Sequence, residues 1–392
     1  MSKFVNGLKK VKWKNYINYV AIGIVTIVFG ILSIGGGLPA STLYLMEKIA
    51  ISIILAVSLS LVVGFLGELS LGHAGFMCVG AYLGGKIAAM LAKTALGGVG
   101  NGILVLIIAL VVGGVCAGAC GFIVGLPALR LKGDYLAIVT LAFGEIVKVI
   151  FQNSSAESFG GPIGLTTPRF DKKYLFIIGL LMVLATLAVL QNFIKSKHGR
   201  AITAIRDNEI AARAMGINVT KYKLIGFIIA AVFAGFAGVI FSYSQNNISS
   251  GTFDYNYSIE ILVMVVLGGM GSINGSIISA TLITFLNVQL QNVLKGDLAV
   301  MKDLLYALIL IVIVIYNNAP KLKNFRDKYS IDNIIKKLIK RKHDPARARD
   351  DAARWDVVPT KISMDEVLST DLIIDDTGDN SADVGERRGG TE

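Results

Sequence analysis

The chain has 392 residues, of which 54% are hydrophobic and only 17% are charged. Soluble domains are about one quarter charged, so this composition excludes an ordinary water-soluble globule and indicates that lipid covers much of the surface. The net charge of +11 does not indicate nucleic-acid binding, because the Lys and Arg residues lie mostly between and outside long apolar runs. Basic residues in such positions are typical of topology signals and of contacts with lipid headgroups. We therefore expect a lipid bilayer, and no nucleic acid, as a partner.

Long apolar runs follow one another along the chain, and about 20 such residues cross the hydrocarbon core as a helix. They predict an all-α fold, a polytopic integral membrane helical bundle of about ten transmembrane helices, with a range of eight to ten. The run Ser258–Met270 is short for a full crossing, which leaves a re-entrant pair open. The ten predicted spans are Tyr16–Ile34, Ile49–Phe65, Leu69–Met90, Ile103–Leu126, Tyr135–Phe151, Tyr174–Ile194, Leu224–Tyr243, Ser258–Met270, Ser276–Val293 and Asp303–Tyr316.

The distribution of basic residues predicts the orientation of these spans, because cytoplasmic loops carry an excess of Lys and Arg. The basic segment 1–15 and the loop 195–223 fall on the cytosolic side. The loop 246–257 contains no Lys or Arg and falls outside. Lys172 and Lys173 also fall outside, against the trend. The pattern predicts a multi-pass protein with both termini in the cytoplasm.

The last part of the chain differs in composition from the transmembrane domain, which we place at 16–320. Residues 321–342 have isoleucines and leucines at helical spacing among lysines, which predicts a basic amphipathic helix on the inner leaflet. Residues 343–392 are acidic and polar, and this composition is typical of a disordered cytosolic tail.

No catalytic or metal-binding pattern stands out. The segment Gly80–Ile87 nearly matches a phosphate-binding loop, but Ile87 has no hydroxyl for magnesium and no strand precedes the segment. The three histidines lie far apart in the predicted topology, and no acid or histidine accompanies the cysteines. We therefore expect no catalytic residue, metal or cofactor in this chain, which is not predicted to be an enzyme.

The cytosolic loop 195–223 contains the most informative local pattern. Asp207 or Asn208 can cap a helix that begins near Glu209, whose carboxylate favours the positive end of the helix dipole. Gly216 is suited to the left-handed residue that ends such a helix. An ordinary loop would not need a short, alanine-rich helix with both ends specified.

This short helix resembles the coupling motif of ABC importer permeases, in which a glutamate and two alanines are followed after three residues by glycine. One extra residue, Ile210, separates the glutamate from the alanines here, and this departure resembles the branched-chain amino-acid (LivM-type) permeases. Further stretches resemble motifs of the same family, in the same order. The stretches that carry the resemblance are Leu59–Phe76, Gly133–Ile146, Gly160–Gly164, Glu209–Gly216 and Leu267–Gly275.

The resemblance implies that the helix docks in a groove of an ATPase subunit. The residues implied in ATPase coupling are Asp207, Glu209, Ala211, Ala212 and Gly216. It also implies a second, paralogous permease subunit, two ATPase subunits that bind ATP and Mg, and an external substrate-binding protein. The implied location is a bacterial inner membrane, and the implied substrates are branched-chain or other small amino acids, with urea or short amides as the near alternative.

Several ionisable, polar and glycine residues in or beside the spans are candidates for the transport pathway, because charged groups in lipid normally face protein or water. Two of them have a simpler explanation, since Glu145 is three residues from Lys148 and Asp134 stands where it can cap a helix. The pathway candidates are Ser70, His73, Asp134, Thr140, Glu145, Gly160 and Gly161.

A different class also stays open, namely a secondary transporter or channel that works without ATP. Such proteins often contain an internal repeat, and no convincing repeat relates the halves of this chain. The predicted cytosolic helix favours the ATP-driven class, which works by alternating access.

Overall fold

A computed structural model describes residues 17–35, 37, 39–93, 102–131, 133–168 and 170–293, with 304, 307, 308 and 311. All of them belong to the first of the two units into which the chain divides, Met1–Asn318 and Ala319–Glu392. The predicted segments 1–15, 321–342 and 343–392 lie outside the described residues, as does most of the last predicted span, Asp303–Tyr316.

The described chain is almost entirely helical, which confirms the all-α, polytopic fold class. The helices are α1 (Ile17–Ile34), α2 (Ala40–Ser60), α3 (His73–Leu91), α4 (Ile103–Ala128), α5 (Asp134–Gln152), α6 (Ala156–Phe159), α7 (Lys172–Lys195), α8 (Lys197–Asp207), α9 (Glu209–Ala214), α10 (Val219–Gln245), α11 (Tyr255–Gly268) and α12 (Ile273–Val293). Within the described ranges six helical segments are long and apolar enough to cross a membrane, and α11 is a shorter apolar helix. The count of ten crossings stays a prediction.

The centre of the bundle is formed by α3, α4 and α10, whose backbones approach closely through glycine. A Cβ atom built on Gly80 of α3 would lie 2.3 Å from the carbonyl oxygen of Gly235 in α10. One built on Gly113 of α4 would lie 3.0 Å from the carbonyl oxygen of Gly80. Small residues allow helices to pack by van der Waals contact where lipid supplies no hydrophobic driving force.

The second span does not continue as a regular helix to its end. A π-helical turn, Leu61–Leu66, follows α2, and the chain then runs without helix from Gly67, which has φ of +78°, to Gly72. π-helical turns are rare and frequently lie at functional sites. Most residues of this irregular segment are buried in protein, the condition under which a membrane protein tolerates non-helical backbone.

The short helix α11 begins part-way along α5, and this position explains why the predicted run Ser258–Met270 is short for a full span. The N–H of Tyr255, its first residue, donates a hydrogen bond to Glu145 Oε1 at 2.9 Å. Glu145 lies eleven residues along α5, roughly 17 Å from its start at 1.5 Å per residue. The segment between α10 and α11 therefore packs beside α5 before α11 begins. The same segment contains β2 (Asn247–Ile248), which forms a short antiparallel pair with β1 (Leu165–Thr166).

The predicted orientation can be tested at two residues with similar exposure. Met215, after α9, is 83% exposed, and Ile163, beside β1, is 78% exposed. Single cysteines at these positions, in a background without Cys78, Cys116 and Cys120, should react differently with a membrane-impermeant maleimide applied to intact cells. We expect labelling at position 163 and protection at position 215 until the membrane is opened. The reverse pattern would contradict the predicted topology.

Candidate coupling site

Two short capped helices form the loop between α7 and α10. Ser196 begins α8, because its Oγ accepts hydrogen bonds from the N–H groups of His198 and Gly199. Asn208 begins α9 in the same way, and its Oδ1 accepts from Ile210 N and Ala211 N, both at 3.0 Å. Such caps satisfy N–H groups that a helix start leaves unpaired, so the local sequence determines where each helix begins.

Both ends of α9 lie where the sequence predicted them, and the structure decides between Asp207 and Asn208 as the capping residue. Asn208 is the cap, whereas Asp207 is the last residue of α8 and forms an ion pair with Arg206 at 2.9 Å. Gly216 has φ of +79°, the left-handed conformation predicted for it, and no atom would crowd a Cβ there. Glycine is therefore favoured at position 216 by the backbone conformation and not by lack of space.

The two alanines of α9 have different environments. Ala212 is 5% exposed and packs in a small cluster with Ile205 and Val219, whereas Ala211 is exposed. Ala212 therefore holds α9 against its own chain. Two large apolar side chains are exposed here, Ile210 of α9 at 81% and Met215, directly after the helix, at 83%. The charged side chain of Arg213 is 61% exposed beside them.

A cluster of charged groups joins α9 to the transmembrane helices. The ammonium group of Lys223, on α10, pairs with Glu68 and, at 3.2 Å, with Glu209 of α9. Glu209 also pairs with Arg213 one turn along. The Lys223 side chain is only 6% exposed and that of Glu68 is 12% exposed, so the pair is largely shielded from solvent. Glu68 lies directly after the π-helical turn, and the cluster therefore connects α9 with the irregular end of the second span.

A second contact reaches the same turn from α8. Arg206 Nη1 donates a hydrogen bond to the carbonyl oxygen of Gly64 at 3.0 Å. Gly64 also faces the glycine-rich turn between α11 and α12, since a Cβ on Gly64 would lie 2.3 Å from Gly271 N. A Cβ built on Gly275 would collide with the carbonyl oxygen of Gly268. The close packing predicted for Gly268–Gly275 is confirmed, and both loop helices contact elements that meet at the π-helical turn.

The structure brings three of the pathway candidates together near the start of α3. His73 Nε2 and Ser58 Oγ share a hydrogen bond of 2.8 Å, and Thr140 Oγ1 accepts from the N–H of Leu71 at 3.0 Å. Ser70 is 1% exposed, and its hydroxyl has no hydrogen-bond partner among the described residues. This arrangement attaches α5 to the non-helical segment before α3.

The remaining candidates have structural explanations. Glu145 pairs with Lys148 at 3.0 Å and accepts the hydrogen bond from the start of α11, where a carboxylate stabilises the positive end of the helix dipole. Asp134 is exposed in the first turn of α5, and Gly133 rather than Asp134 occupies the capping position. Gly160 and Gly161 have φ of +80° and +51°, and a Cβ on either would collide with backbone.

Two cavities lie apart from most of these candidates. One of about 500 Å³ is lined by Gly160, Lys86 and neighbouring residues of the loop around β1. The other, of about 270 Å³, is lined by residues of α2, α10, α11 and α12 together with Thr252. None of the seven candidates lines this second cavity. The signal that would have indicated it is the pair of charged residues within apolar helices, Lys48 and Glu260.

Comparison with known protein families matches residues 41–314 to "Branched-chain amino acid transport system / permease component". The matched segment includes the π-helical turn, both loop helices and the glycine-rich turn. The chain belongs to this permease family. Membership confirms the resemblance that the coupling motif predicted, and it agrees with a multi-pass membrane protein.

Relatives of this family member include high-affinity branched-chain amino acid transport system permease proteins LivM. That of Salmonella typhimurium is 37% identical over 265 residues, and that of Escherichia coli K12 is 38% identical; each alignment covers 59% of this chain and 60% of the relative. The chain thus spans about 60% of their length. The ribose import permease protein RbsC of E. coli K12 is 27% identical, over 70% of this chain and 84% of its own. No solved structure matches the chain.

Proposed function

We propose that this chain is a permease subunit of an ATP-driven importer of branched-chain amino acids, in which α9 transmits the action of an ATPase subunit to the transmembrane helices. The observation that carries the proposal is the charged cluster of Glu209, Lys223 and Glu68. It links a short, cytosol-facing helix to the π-helical turn of the second span, so a displacement of α9 acts directly on a buried, irregular part of the bundle.

The exposed surface of α9 supports a partner at this site. Ile210 and Met215 are large apolar side chains, and each exposes more than 80% of its surface. An isolated helix of this length is unstable in water, since about 12–15 residues are needed for marginal stability. Here Ala212 and the charged cluster hold it in place, which leaves the opposite side free to enter a groove on another protein.

The proposed assembly contains a paralogous second permease subunit, two ATPase subunits and an external binding protein. A probable branched-chain amino acid permease protein LivH of Methanocaldococcus jannaschii is 28% identical over 41% of this chain, which supports a pair of related permeases. ATP and Mg would be bound by the ATPase subunits. We place the complex in a bacterial inner membrane, with both termini of this chain in the cytoplasm.

The substrate assignment has one competitor favoured by a specific observation. The ribose permease aligns over a larger share of its own length, 84%, than the LivM proteins do, 60%. The LivM proteins are more similar in sequence, at 37–38% against 27%, and we favour amino acids on that ground. ATP-dependent uptake of labelled leucine into proteoliposomes that contain the complete complex, with ribose and leucine as competitors, distinguishes the two.

The docking role can be tested by placing a charge on the exposed face of α9. Ile210→Glu should reduce copurification of the ATPase subunit by about tenfold, because a carboxylate would be desolvated in an apolar groove. Ile163→Glu is the matched control, since Ile163 is similarly exposed and lies on the predicted external side. Equal ATPase recovery with both variants would remove α9 as the docking element.

A further inference from the structure

A cavity lined by both polar and apolar side chains lies between α2, α10, α11 and α12, and no functional assignment so far includes it. Its volume is about 270 Å³. Residues of four apolar helices and one connecting loop surround it, namely Lys48, Ile51 and Ser52 of α2, Phe241 and Gln245 of α10, Thr252, Tyr257, Glu260 and Met264 of α11, and Thr284, Asn287, Val288 and Gln291 of α12. A cavity of this kind between helices is where small ligands usually bind.

Two opposite charges face this cavity from different helices. Lys48 lies eight residues into the span Ala40–Leu66, about 12 Å along it, and Glu260 lies five residues into α11. Ionisable residues at such depth are costly, and they normally mark a pathway or a ligand counter-ion. The cavity therefore presents a cation and an anion to the same space.

Neighbouring polar and aromatic groups hold the two charged side chains in position. Glu260 Oε1 accepts a hydrogen bond from Asn287 Nδ2 at 2.9 Å, which joins α11 to α12. Lys48 Nζ lies 5.0 Å from the centre of the Tyr44 ring, and the Tyr44 hydroxyl accepts from Gln245 Nε2 at 3.1 Å. Lys48 takes part in none of the ion pairs formed among the described residues.

The same cavity also has an apolar wall and a free hydroxyl. Ile51, Phe241, Met264 and Val288 supply the apolar surface. Thr284 is 5% exposed, and its Oγ1 has no hydrogen-bond partner among the described residues, so a donor or acceptor is available for a bound molecule. At about 30 Å³ per water molecule the volume corresponds to roughly nine waters, which suits a molecule of similar heavy-atom number such as leucine.

We propose that this cavity binds a zwitterionic α-amino acid with an aliphatic side chain. Lys48 contacts the carboxylate, Glu260 contacts the ammonium group, and the apolar wall packs against the side chain. The assignment rests on the proposed function and adds a substrate site to it within this chain. A purely structural role is the alternative, in which the polar residues only join α2, α11 and α12. A purely structural role would not explain why Lys48 forms no ion pair with the described residues. It would also not explain the open cavity beside Lys48.

Uptake of labelled leucine by the reconstituted complete complex tests the two charges. Lys48→Gln and Glu260→Gln should each lower uptake by at least tenfold, because hydrogen bonds to charged groups contribute more than neutral ones. Lys86→Gln is the matched control: Lys86 is also a half-buried lysine within a span, and it lies 5.9 Å from the centre of the Phe159 ring. It lines the other cavity, and we expect nearly normal uptake from this variant.

A second measurement separates binding from structure. In the complete complex without Cys78, Cys116 and Cys120, Thr284→Cys is a conservative change and should react with a small methanethiosulfonate reagent. Leucine should slow the reaction at least threefold, whereas 4-methylpentanoate, which lacks the ammonium group, and isoamylamine, which lacks the carboxylate, should not. A rate that leucine leaves unchanged, or a cysteine that never reacts, would overturn the assignment.

The outcomes distinguish this site from the proposed function. If the unmodified complex takes up no leucine, the importer proposal fails. If it takes up leucine and the variants at Lys48 and Glu260 match Lys86→Gln, only the cavity assignment fails. Equal losses of uptake in Lys48→Gln, Glu260→Gln and Lys86→Gln would also contradict the cavity assignment, because the effect would then not depend on this cavity.

Discussion

Replacement of Lys223 by methionine should abolish most ATP-driven uptake while the protein still inserts into the membrane. Lys223 is the only described residue that pairs with both Glu68 and Glu209. Removing one partner of a buried ion pair typically costs about 3–5 kcal/mol, because the remaining charge is left uncompensated. Glu68 would be the charge left without a partner, so the contact between α9 and the π-helical turn should be lost. Uptake and substrate-stimulated ATPase activity, at matched protein level, are the measurements.

The neighbouring lysine supplies the control for this experiment. Lys221 lies two residues earlier on α10 and is exposed, so Lys221→Met should have little effect. Glu209→Lys should resemble Lys223→Met, because it places a second cation next to the Lys223 ammonium group. If Lys223→Met and Glu209→Lys transport as well as Lys221→Met, the cluster does not couple α9 to the spans, and a transporter independent of ATP becomes the better explanation.

Gly80→Ala should greatly reduce the yield of folded protein, although it adds a single methyl group. The new Cβ would lie 2.3 Å from the carbonyl oxygen of Gly235 and 2.5 Å from its Cα. Both contacts are with backbone, which cannot rotate away, so α3 and α10 would have to separate at the centre of the bundle. Overpacking of this kind typically costs about 1–3 kcal/mol and occasionally more. Size-exclusion profiles and thermal stability in detergent measure the loss.

A glycine in another span provides the matched substitution. Gly23 of α1 has no atom within 4 Å of a built Cβ, so Gly23→Ala should fold normally. It should be slightly stabilising, since alanine is favoured over glycine in a helix by about 1 kcal/mol. Equal yields for the two alanine variants would show that α3 and α10 do not pack as closely as described.

The sequence by itself was sufficient for the features that depend on neighbouring residues. Apolar runs predicted the helices because a helix in lipid satisfies its backbone internally. The pattern from Asn208 to Gly216 predicted the start and end of α9, because capping and the left-handed conformation are local preferences. The Glu145–Lys148 pair was also predictable, since residues three apart on a helix are neighbours.

The tertiary structure decided the features that depend on how the helices face one another. Glu68 and Lys223 are 155 residues apart, and their pairing depends on the π-helical turn, which no local pattern indicated. The cavity of Lys48 and Glu260 required the packing of four helices, and the start of α11 depends on the hydrogen bond from Tyr255 to Glu145, part-way along α5. In lipid almost every side of a helix can be apolar, so the sequence contains little information on which side meets a neighbour. Close glycine contacts and a few buried charges make that choice, and they operate only when the helices are assembled.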